Sequence, residues 1–258
     1  MQIILDGKYK AEKSVVALGM FDGVHIGHQV LLRKARALAE EHHAPLVACT
    51  FAQHPLSLIA PEKAPALLTT AEERSVLMES LGVDVLYAQP FDEALMRMPP
   101  EEYVGQLVRH FHPLAVVCGY NHTFGQNGSG TPALLGLLGG ALGFDTIAVP
   151  QITLNGQEIS STAVRSALKA GDVQQARKLL GRPYVQQALA EQENGGVCRL
   201  MLPKDGKQPL PPGSYRILVE DDQHRQPAVL HLNNPQEGRC HLSAPHQPGV
   251  RLLYLTKA

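Results

Sequence analysis

The amino-acid sequence predicts an α/β protein: a Rossmann-like three-layer domain built on a parallel sheet, followed by a small antiparallel β domain. Short apolar runs alternate with helical patterns as far as Leu180. These runs are continuously apolar, as expected of parallel strands that are covered on both faces. From Tyr184 onward Gly, Pro, Asn and Gln become frequent and only short β-like runs remain. We therefore predict one domain at residues 1–184 and a second at residues 185–258.

The first part of the sheet is predicted from three apolar runs. Ile3–Leu5 is short and suits an edge strand, whereas Val15–Gly19 and Pro45–Phe51 suit buried strands. Between the two buried strands, apolar residues recur at helical spacing over Gln29–Glu41. This order predicts a strand, a helix and a second strand of one sheet.

The alternation continues to Val149. Thr70 and Glu73 fit a capping box that starts a helix, which we expect to reach Leu81. Proline and acidic residues mark the start of another helix at Pro99. The remaining elements are a third strand at Val83–Ala88, the helix ending at Phe111, a fourth strand at Leu114–Gly119, a helix over Ala133–Leu142 and a fifth strand at Phe144–Val149.

Past the fifth strand the sequence predicts two helices and then the β domain. One helix follows Ser160 and reaches Ala170, and the other spans Val173–Leu180 before a glycine stop. We expect a linker over Val185–Gly196. The β-like runs are Val197–Leu202, Ser214–Glu220, Ala228–Leu232 and Val250–Leu255.

Composition excludes several classes of protein. The chain has 258 residues, of which 44% are hydrophobic, and a formal net charge of −1, whereas a general nucleic-acid binder usually has a basic excess. The four cysteines are widely spread without a CxxC pair, which indicates buried thiols in a reducing compartment. The histidines near predicted helix ends, such as His42 and His110, indicate solvated helix termini, and we assign no metal ligands.

No segment has the features of a targeting or membrane-spanning sequence. The N-terminus carries charged residues where a signal peptide needs an apolar core. The most membrane-like stretch, Pro132–Val149, contains four glycines and Asp145 and divides into a helix and a strand. The expectation is a cytoplasmic protein that binds neither membrane nor nucleic acid. The sequence indicates no oligomeric state.

The stretch Gly19–His28, with the sequence GMFDGVHIGH, connects the predicted second strand to a helix. Its glycines allow a ligand to approach the backbone closely. A helix start presents free N–H groups and a partial positive charge, so it favours anions. The imidazoles of His25 and His28 lie beside that helix start, and the sequence therefore predicts a phosphate site here.

The positions of two further loops support this site. In parallel α/β sheets ligands bind beyond the carboxyl ends of the strands. The loops after Leu18, Phe51 and Cys118 should therefore meet at one crevice. Each has an unusual sequence: GMFDGVHIGH, TFAQHP and CGYNHTFGQNGSG, respectively.

These motifs carry a resemblance to a known family. The HIGH sequence at 25–28 resembles the HxGH signature of the nucleotidylyltransferase superfamily. Together with TFAQHP, CGYNHTFGQNGSG, and ISSTAVR leading to LGRPY, it resembles the adenylyltransferase domain of prokaryotic FAD synthetases, over Val15–Tyr184. The resemblance implies a reaction in which ATP and FMN give FAD and pyrophosphate, with Mg²⁺.

The resemblance also implies roles for individual residues. His25 and His28 would hold the ATP phosphates and stabilise charge as pyrophosphate leaves, and nearby phosphates would raise the pKa of both imidazoles. Arg165 would donate a fork of N–H groups to phosphate oxygens. The implied ATP-binding residues also include Gly19, Phe21, Asp22, Gly23, Ser160, Ser161 and Thr162, and the implied flavin-binding residues are His54, Asn121 and Phe124.

Several of these residues have a structural alternative. The Ser160–Thr162 run could form an anion cradle or a plain helix cap. Asp22 could pair with His25, orient the turn or serve the ATP-binding end. Phe51 suits the core better than a flavin contact, and Phe124 suits either.

The chain departs from the family pattern at three places. Most relatives have GxDFxFG where this chain has GYNHTFG, so Asn121 stands at the usual acidic position and cannot hold Mg²⁺ as a carboxylate can. Gln53 replaces the usual proline of the second motif. After Tyr184 the GRxLGFPTAN-like motif of the riboflavin kinase domain is missing, and only LPPGSYR at 210–216 faintly resembles that domain. We expect a shortened relic of the kinase barrel without kinase activity.

The implied chemistry agrees with the residues present. The phosphate of FMN, with a second pKa near ~6, is already largely ionised at neutral pH and can attack the α-phosphorus of ATP without a general base. We find no persuasive Ser/His/Asp or nucleophilic cysteine arrangement. Two alternatives remain open: transfer to another phosphorylated acceptor, such as a modified flavin or phosphopantetheine, and a non-catalytic regulator that binds flavin or nucleotide.

Overall fold

The computed structural model describes residues 1–193, 197–242 and 249–258. The chain divides into two compact units. The first comprises Met1–Pro65 and Ala71–Thr153, and the second comprises Ala66–Thr70 and Leu154–Ala258. The residues between Leu154 and Leu180, which we assigned to the first domain, are grouped here with the C-terminal strands. The proposed functional boundary at residue 184 stays a prediction.

The first unit contains the predicted parallel sheet. Its strands are β1 (Gln2–Ile4), β2 (Ser14–Leu18), β3 (Leu46–Phe51), β4 (Val85–Gln89), β5 (Pro113–Gly119) and β6 (Asp145–Val149). They lie in the order β1-β4-β3-β2-β5-β6, and every neighbouring pair is parallel. The fold class is confirmed, with the short first strand at one edge.

Helices cover both faces of this sheet. They are α1 (Ile26–Glu41), α2 (Leu56–Ile59), α3 (Ala71–Ser80), α4 (Glu93–Met96), α5 (Pro100–Phe111) and α6 (Pro132–Leu142). On one face, Leu32 of α1 and Met78 of α3 pack in a cluster with Val15. On the other face, Phe111 of α5 and Leu135 of α6 pack in a second cluster. The three layers therefore follow from strands that are apolar on both faces.

The second unit contains helices and an antiparallel barrel. A short hairpin of β7 (Thr153–Leu154) and β8 (Gln157–Glu158) precedes α7 (Ser161–Lys169) and α8 (Val173–Leu180). The barrel strands are β9 (Tyr184–Gln192), β10 (Val197–Met201), β11 (Gly213–Glu220), β12 (Arg225–Asn234), β13 (Glu237–His241) and β14 (Gly249–Lys257). They close in the order β10-β13-β12-β11-β14-β9.

The predicted linker over Val185–Gly196 is wrong for the residues that the structure describes there. Residues 184–192 form β9, which pairs with β14 through Tyr184↔Tyr254 and with β10 through Met201↔Leu189. The end of the predicted linker, residues 194–196, lies outside the described residues. The strand β13 was not predicted either, because only Gly238 and Cys240 of its five residues face the buried side.

Two further sequence expectations can be compared with the structure. All four cysteines are free and buried, as predicted. Within the described ranges, no helix combines the length and apolarity that crossing a membrane would require.

Candidate functional site

Three loops of the first unit meet where the strand order of the sheet reverses. β2 lies between β3 and β5, with parallel pairing on both sides. The chain proceeds from β2 toward β3 and β4 on one side and later adds β5 and β6 on the other. Such a reversal opens a crevice at the carboxyl ends of the strands. The strand order places the loops after β2, β3 and β5 at this edge, as predicted, and their convergence on one crevice stays a prediction.

The turn between β2 and α1 has an unusual backbone. Phe21 and Val24 adopt left-handed conformations, with φ values of 52° and 38°, and Gly23 has a φ of 77°. Non-glycine residues adopt such conformations rarely, and they persist where the surrounding structure fixes them. The helix begins at Ile26, three residues before the predicted start at Gln29. The HIGH sequence therefore forms the first turn of α1.

The two histidines of this turn contact each other directly. His25 is the N-cap of α1, and its Nδ1 accepts a hydrogen bond from the backbone N–H of His28 at 3.3 Å. The two imidazole rings stack with centroids 3.7 Å apart and an interplanar angle of 17°. The ring of Phe21 packs edge-on against His28 at 5.3 Å. The N-terminus of α1 thus carries two fixed, parallel imidazoles.

His28 is set apart by its electrostatic state. Its Nδ1 is shielded from solvent and has no hydrogen-bond partner in the part of the chain that the structure describes. Burial, with a smaller contribution from His25, holds the pKa of His28 well below its ordinary value of 6.5. The imidazole is therefore neutral at pH 7 in the free protein. The expected rise of this pKa beside phosphate stays a prediction, since it concerns the complex.

A buried arginine that the sequence analysis missed joins two of the loops. Arg74 of α3 donates from Nη1 to the Met20 carbonyl at 3.3 Å and from Nη2 to the Phe51 carbonyl at 3.4 Å. Its exposed fraction is 8%, and Asp22 is a source of negative charge beside it. The spacing of Arg74 from the buried Met78 placed it on the inner face of α3, which was the signal available in the sequence.

The loop after β3 presents His54 to the same edge. Its Nδ1 accepts a hydrogen bond from the Leu56 N–H at 3.1 Å, at the start of the unpredicted helix α2. Phe51 packs edge-on against Phe91 with ring centroids 5.2 Å apart, which agrees with the interpretation of Phe51 as a packing residue. The flavin contact of His54 stays a prediction.

The loop after β5 combines one exposed amide with two half-buried or buried rings. Asn121 is exposed. Phe124 is only 6% exposed and packs against Tyr103, with centroids 5.4 Å apart. A Cβ at Gly130 would lie 2.5 Å from the Phe124 ring, so this glycine allows the loop to close over the ring. This packing favours the core interpretation of Phe124, and its flavin contact stays a prediction.

His122, in the same loop, is a second residue to which the sequence analysis gave no role. Its ring stacks on Phe124 at 6.0 Å, and its Nε2 is buried with no hydrogen-bond partner within the described ranges. Burial lowers the pKa of His122 to about 4. It is therefore a neutral imidazole, in the position of the first phenylalanine of the GxDFxFG pattern that the sequence resembles.

The remaining predicted phosphate ligands belong to the second unit. Ser160 is the N-cap of α7, and its Oγ accepts a hydrogen bond from the Ala163 N–H at 3.2 Å. This is the helix cap that we considered as the structural alternative. Arg165 is 9% exposed, and its Nε donates to the Ala66 carbonyl at 2.6 Å. Phosphate contacts of Ser160, Ser161, Thr162 and Arg165 stay predictions.

The described part of the site offers few ligands for a magnesium ion. Mg²⁺ usually needs one or two carboxylates together with substrate phosphates. Asp22, the carboxylate of the histidine turn, is 3% exposed and lies beside the Arg74 charge, and Asn121 offers only an amide oxygen. Among the described residues, no group of three or more His, Cys, Asp or Glu side chains is arranged to hold a metal ion.

The chain is similar to known proteins in both sequence and structure. A family model described as FAD synthetase matches residues 8–163. The chain is 37% identical over 179 residues to a bifunctional riboflavin kinase/FMN adenylyltransferase of Bacillus subtilis. The aligned segment covers 69% of this chain and 56% of that protein. It is 33% identical to the protein of the same description from Escherichia coli, over 67% of this chain and 56% of that protein. The matched segment thus spans about half the length of these curated relatives.

A solved structure matches the whole chain. The crystal structure of a protein described as a macrolide-efflux protein from Streptococcus pneumoniae has a TM-score of 0.90 and 25% sequence identity to this chain. The match covers 100% of this chain and 91% of that chain. The architecture of both units therefore occurs together in another protein.

Proposed function

The chain belongs to the FAD synthetase family, and from this premise we propose that it is an FMN adenylyltransferase, which transfers the AMP group of ATP to FMN and releases pyrophosphate. The observation that carries the proposal is the stacked pair of His25 and His28 on the N-terminus of α1. This pair lies at the sheet edge where the strand order reverses.

The reaction needs orientation and charge stabilisation more than it needs a base. A phosphate oxygen of FMN forms a new bond to the α-phosphorus of ATP, and the bond from that phosphorus to the bridging oxygen of the β-phosphate breaks. The attacking phosphate is largely ionised at neutral pH because its second pKa is about 6. Negative charge moves onto the departing pyrophosphate. Preorganised positive and dipolar groups stabilise such charge most effectively.

The histidine turn supplies groups of this kind. The first N–H groups of α1 lack partners within the helix and favour an anion. His28 is neutral in the free protein, and its buried Nδ1 has no partner in the described part of the chain. A phosphate nearby favours protonation of this imidazole. We propose that the His28 imidazole gains a proton when ATP binds and that His25 keeps the His28 ring in position. The predicted ATP-binding roles of Gly19, Phe21, Asp22 and Gly23 belong to the same proposal.

Mg²⁺ is part of the proposal as a companion of ATP. When bound, the ion would neutralise charge on the phosphates. We assign it no protein ligand, since Asp22 and Asn121 do not fit such a role. A cytoplasmic location and the absence of riboflavin kinase activity from the barrel also stay proposals.

The activity is tested by incubating the full chain with ATP, FMN and Mg²⁺ and following FAD by chromatography. We expect FAD and pyrophosphate in equal amounts. A protein that binds FMN and ATP tightly but produces no FAD would instead indicate a non-catalytic regulator, and failure of Asn121→Asp to restore turnover would strengthen that result.

One observation favours a second candidate, transfer to a different phosphorylated acceptor. Asn121 and His122 stand in the loop after β5, where most relatives carry an acid and a phenylalanine. A panel of acceptors that includes modified flavins and phosphopantetheine, scored by pyrophosphate release, distinguishes the two candidates. The preferred acceptor is the one with the highest kcat/KM.

A further inference from the structure

We propose that Arg74 of α3 is a positioning residue for adenylyl transfer, which fixes the turn between β2 and α1 in the conformation that orients His25 and His28. The kinetic consequence rests on the proposed function, whereas the structural consequence can be measured without it. No bond to the reacting groups is assigned to Arg74.

The guanidinium joins two loops that contribute to the crevice. Nη1 donates to the Met20 carbonyl in the loop after β2, and Nη2 donates to the Phe51 carbonyl at the end of β3. The Oγ1 of Thr50 donates to the same Met20 carbonyl at 3.0 Å. A planar guanidinium can serve two acceptors in a fixed geometry, which an ammonium group cannot reproduce.

The hydrogen bond to the Met20 carbonyl fixes the backbone directly before the left-handed residues of the turn. Met20 immediately precedes Phe21, the first of the three residues of the turn that have a positive φ. Such conformations persist only where the surroundings determine them. Phe21 in turn places its ring edge-on against His28. The contacts therefore run from Arg74 through Met20 and Phe21 to the imidazole.

The buried charge of Arg74 favours one conformation of the turn between β2 and α1. A charge that is 8% exposed is costly unless nearby groups compensate it. Burial lowers the pKa of Arg74, and the negative charge of Asp22 opposes that effect. Asp22 and the Met20 carbonyl both belong to the histidine turn. A different conformation of the turn would withdraw this compensation, so Arg74 favours the observed one.

Arg36 provides a matched control, because its contacts lie at the amino ends of the strands, opposite the histidine turn. Arg36 of α1 also ties backbone and carboxylate together, since its Nη1 donates to the Gly82 carbonyl at 3.2 Å and to Asp84 Oδ2 at 2.9 Å. These contacts lie at the amino end of β4, away from the histidines. Arg36→Lys and Arg36→Met therefore report the cost of removing a structural guanidinium from this unit.

The experiment compares Arg74→Lys and Arg74→Met with the two Arg36 variants. We expect kcat for FAD formation to fall on the order of 10- to 100-fold in both Arg74 variants, because small misplacements of catalytic groups have effects of this size. The KM for ATP should change less than about 3-fold, since the loss concerns the transition state. The Arg36 variants should retain the wild-type kcat.

NMR of the histidine rings provides the readout that does not depend on activity. In the free protein, Arg74→Met should shift the ring signals of His25 and His28, because Phe21 no longer holds its edge-on position, and Arg36→Met should leave them unchanged. If the wild-type chain makes no FAD, the proposed function fails and the ring signals still decide the role of Arg74. Unchanged signals together with an unchanged kcat would overturn the proposal, as would a raised KM at constant kcat. Arg74→Lys carries both tests if Arg74→Met does not fold.

Discussion

Nδ1 of His25 accepts the backbone N–H of His28, and the two imidazoles stack at a centroid distance of 3.7 Å. The first histidine therefore uses its ring nitrogen to cap the helix, and this bond sets the direction of its ring. The second ring lies parallel to it, and its Nδ1 has no hydrogen-bond partner among the residues that the structure describes. The cap thus gives the two rings different roles: His25 fixes the geometry of the turn, and the proposed phosphate contact falls to His28.

Replacement of His28 by alanine should lower turnover far more than FMN binding. We expect kcat to fall about 100- to 1,000-fold, the range found when one charge-stabilising donor is removed. The Kd for FMN should stay within about 3-fold of wild type. Steady-state kinetics and fluorescence titration measure the two quantities. The exposed His241→Ala is the control, and equal losses in kcat and FMN affinity would mean that His28 only supports the fold.

Binding of a non-hydrolysable ATP analogue should raise the pKa of His28. In the free protein burial keeps this pKa well below 6.5, and a phosphate beside the ring favours the charged form. An NMR titration of the His28 ring with and without the analogue measures the change. A midpoint that stays low in the complex would contradict the proposed contact.

His122 should make the protein less stable in mild acid. Its pKa is about 4 in the folded protein and near ~6.5 in the unfolded chain, so below pH ~6.5 the unfolded chain binds the proton more readily. This contribution is fully present above that pH and is lost as the pH falls toward about 4. Its size is on the order of 1–3 kcal/mol. We expect urea unfolding of His122→Phe to depend less on pH over this window, whereas His241→Phe should behave as wild type.

The hydroxyl of Tyr254 should be dispensable for stability. It is buried in the barrel without a hydrogen-bond partner among the described residues, whereas the Tyr184 hydroxyl donates to the Gln208 carbonyl at 2.7 Å. Removing an unpaired buried polar group is neutral or stabilising, but losing a made hydrogen bond costs about 0.5–1.5 kcal/mol. Denaturant unfolding should therefore find Tyr254→Phe at least as stable as wild type and Tyr184→Phe less stable. The opposite order would reveal a partner for Tyr254.

A side chain at Gly130 should disturb the loop after β5. An added Cβ would lie 2.5 Å from the Phe124 ring, and forcing such a contact costs about 1–3 kcal/mol. Gly140 of α6 has no atom within 4 Å of an added Cβ, so Gly140→Ala should stabilise by up to ~1 kcal/mol. Thermal unfolding of the two alanine variants measures both effects, and a stable Gly130→Ala would show that the Phe124 ring can move aside.

The sequence predicted the first unit well because its strands carry an unambiguous signal. β2 and β5 are apolar at nearly every position, and glycine, proline and capping residues mark the helix ends. The position of His25 at the start of α1 was harder to predict, since histidine is an uncommon N-cap and the helix begins inside the motif. The predicted start at Gln29 was late for this reason.

The barrel and the buried polar contacts were less predictable. Along β9 the buried residues include Gln186, while Val185 is only partly buried, so the usual alternation of apolar and polar residues is blurred. Arg74 could be assigned to the inner face of α3, but its partners are carbonyl groups from two distant loops. Every residue has a backbone carbonyl, so the sequence does not indicate which carbonyls accept a hydrogen bond from Arg74. Such contacts can be identified only from the structure.

The closure of the barrel has a consequence for biosynthesis. β14 pairs with both β9 and β11, so the cylinder cannot form until the ribosome has made Gly249–Lys257. The sheet of the first unit is complete once Val149 has emerged. The nascent chain can therefore fold its first unit during translation, whereas the other five strands of the barrel stay unclosed until β14 has been made.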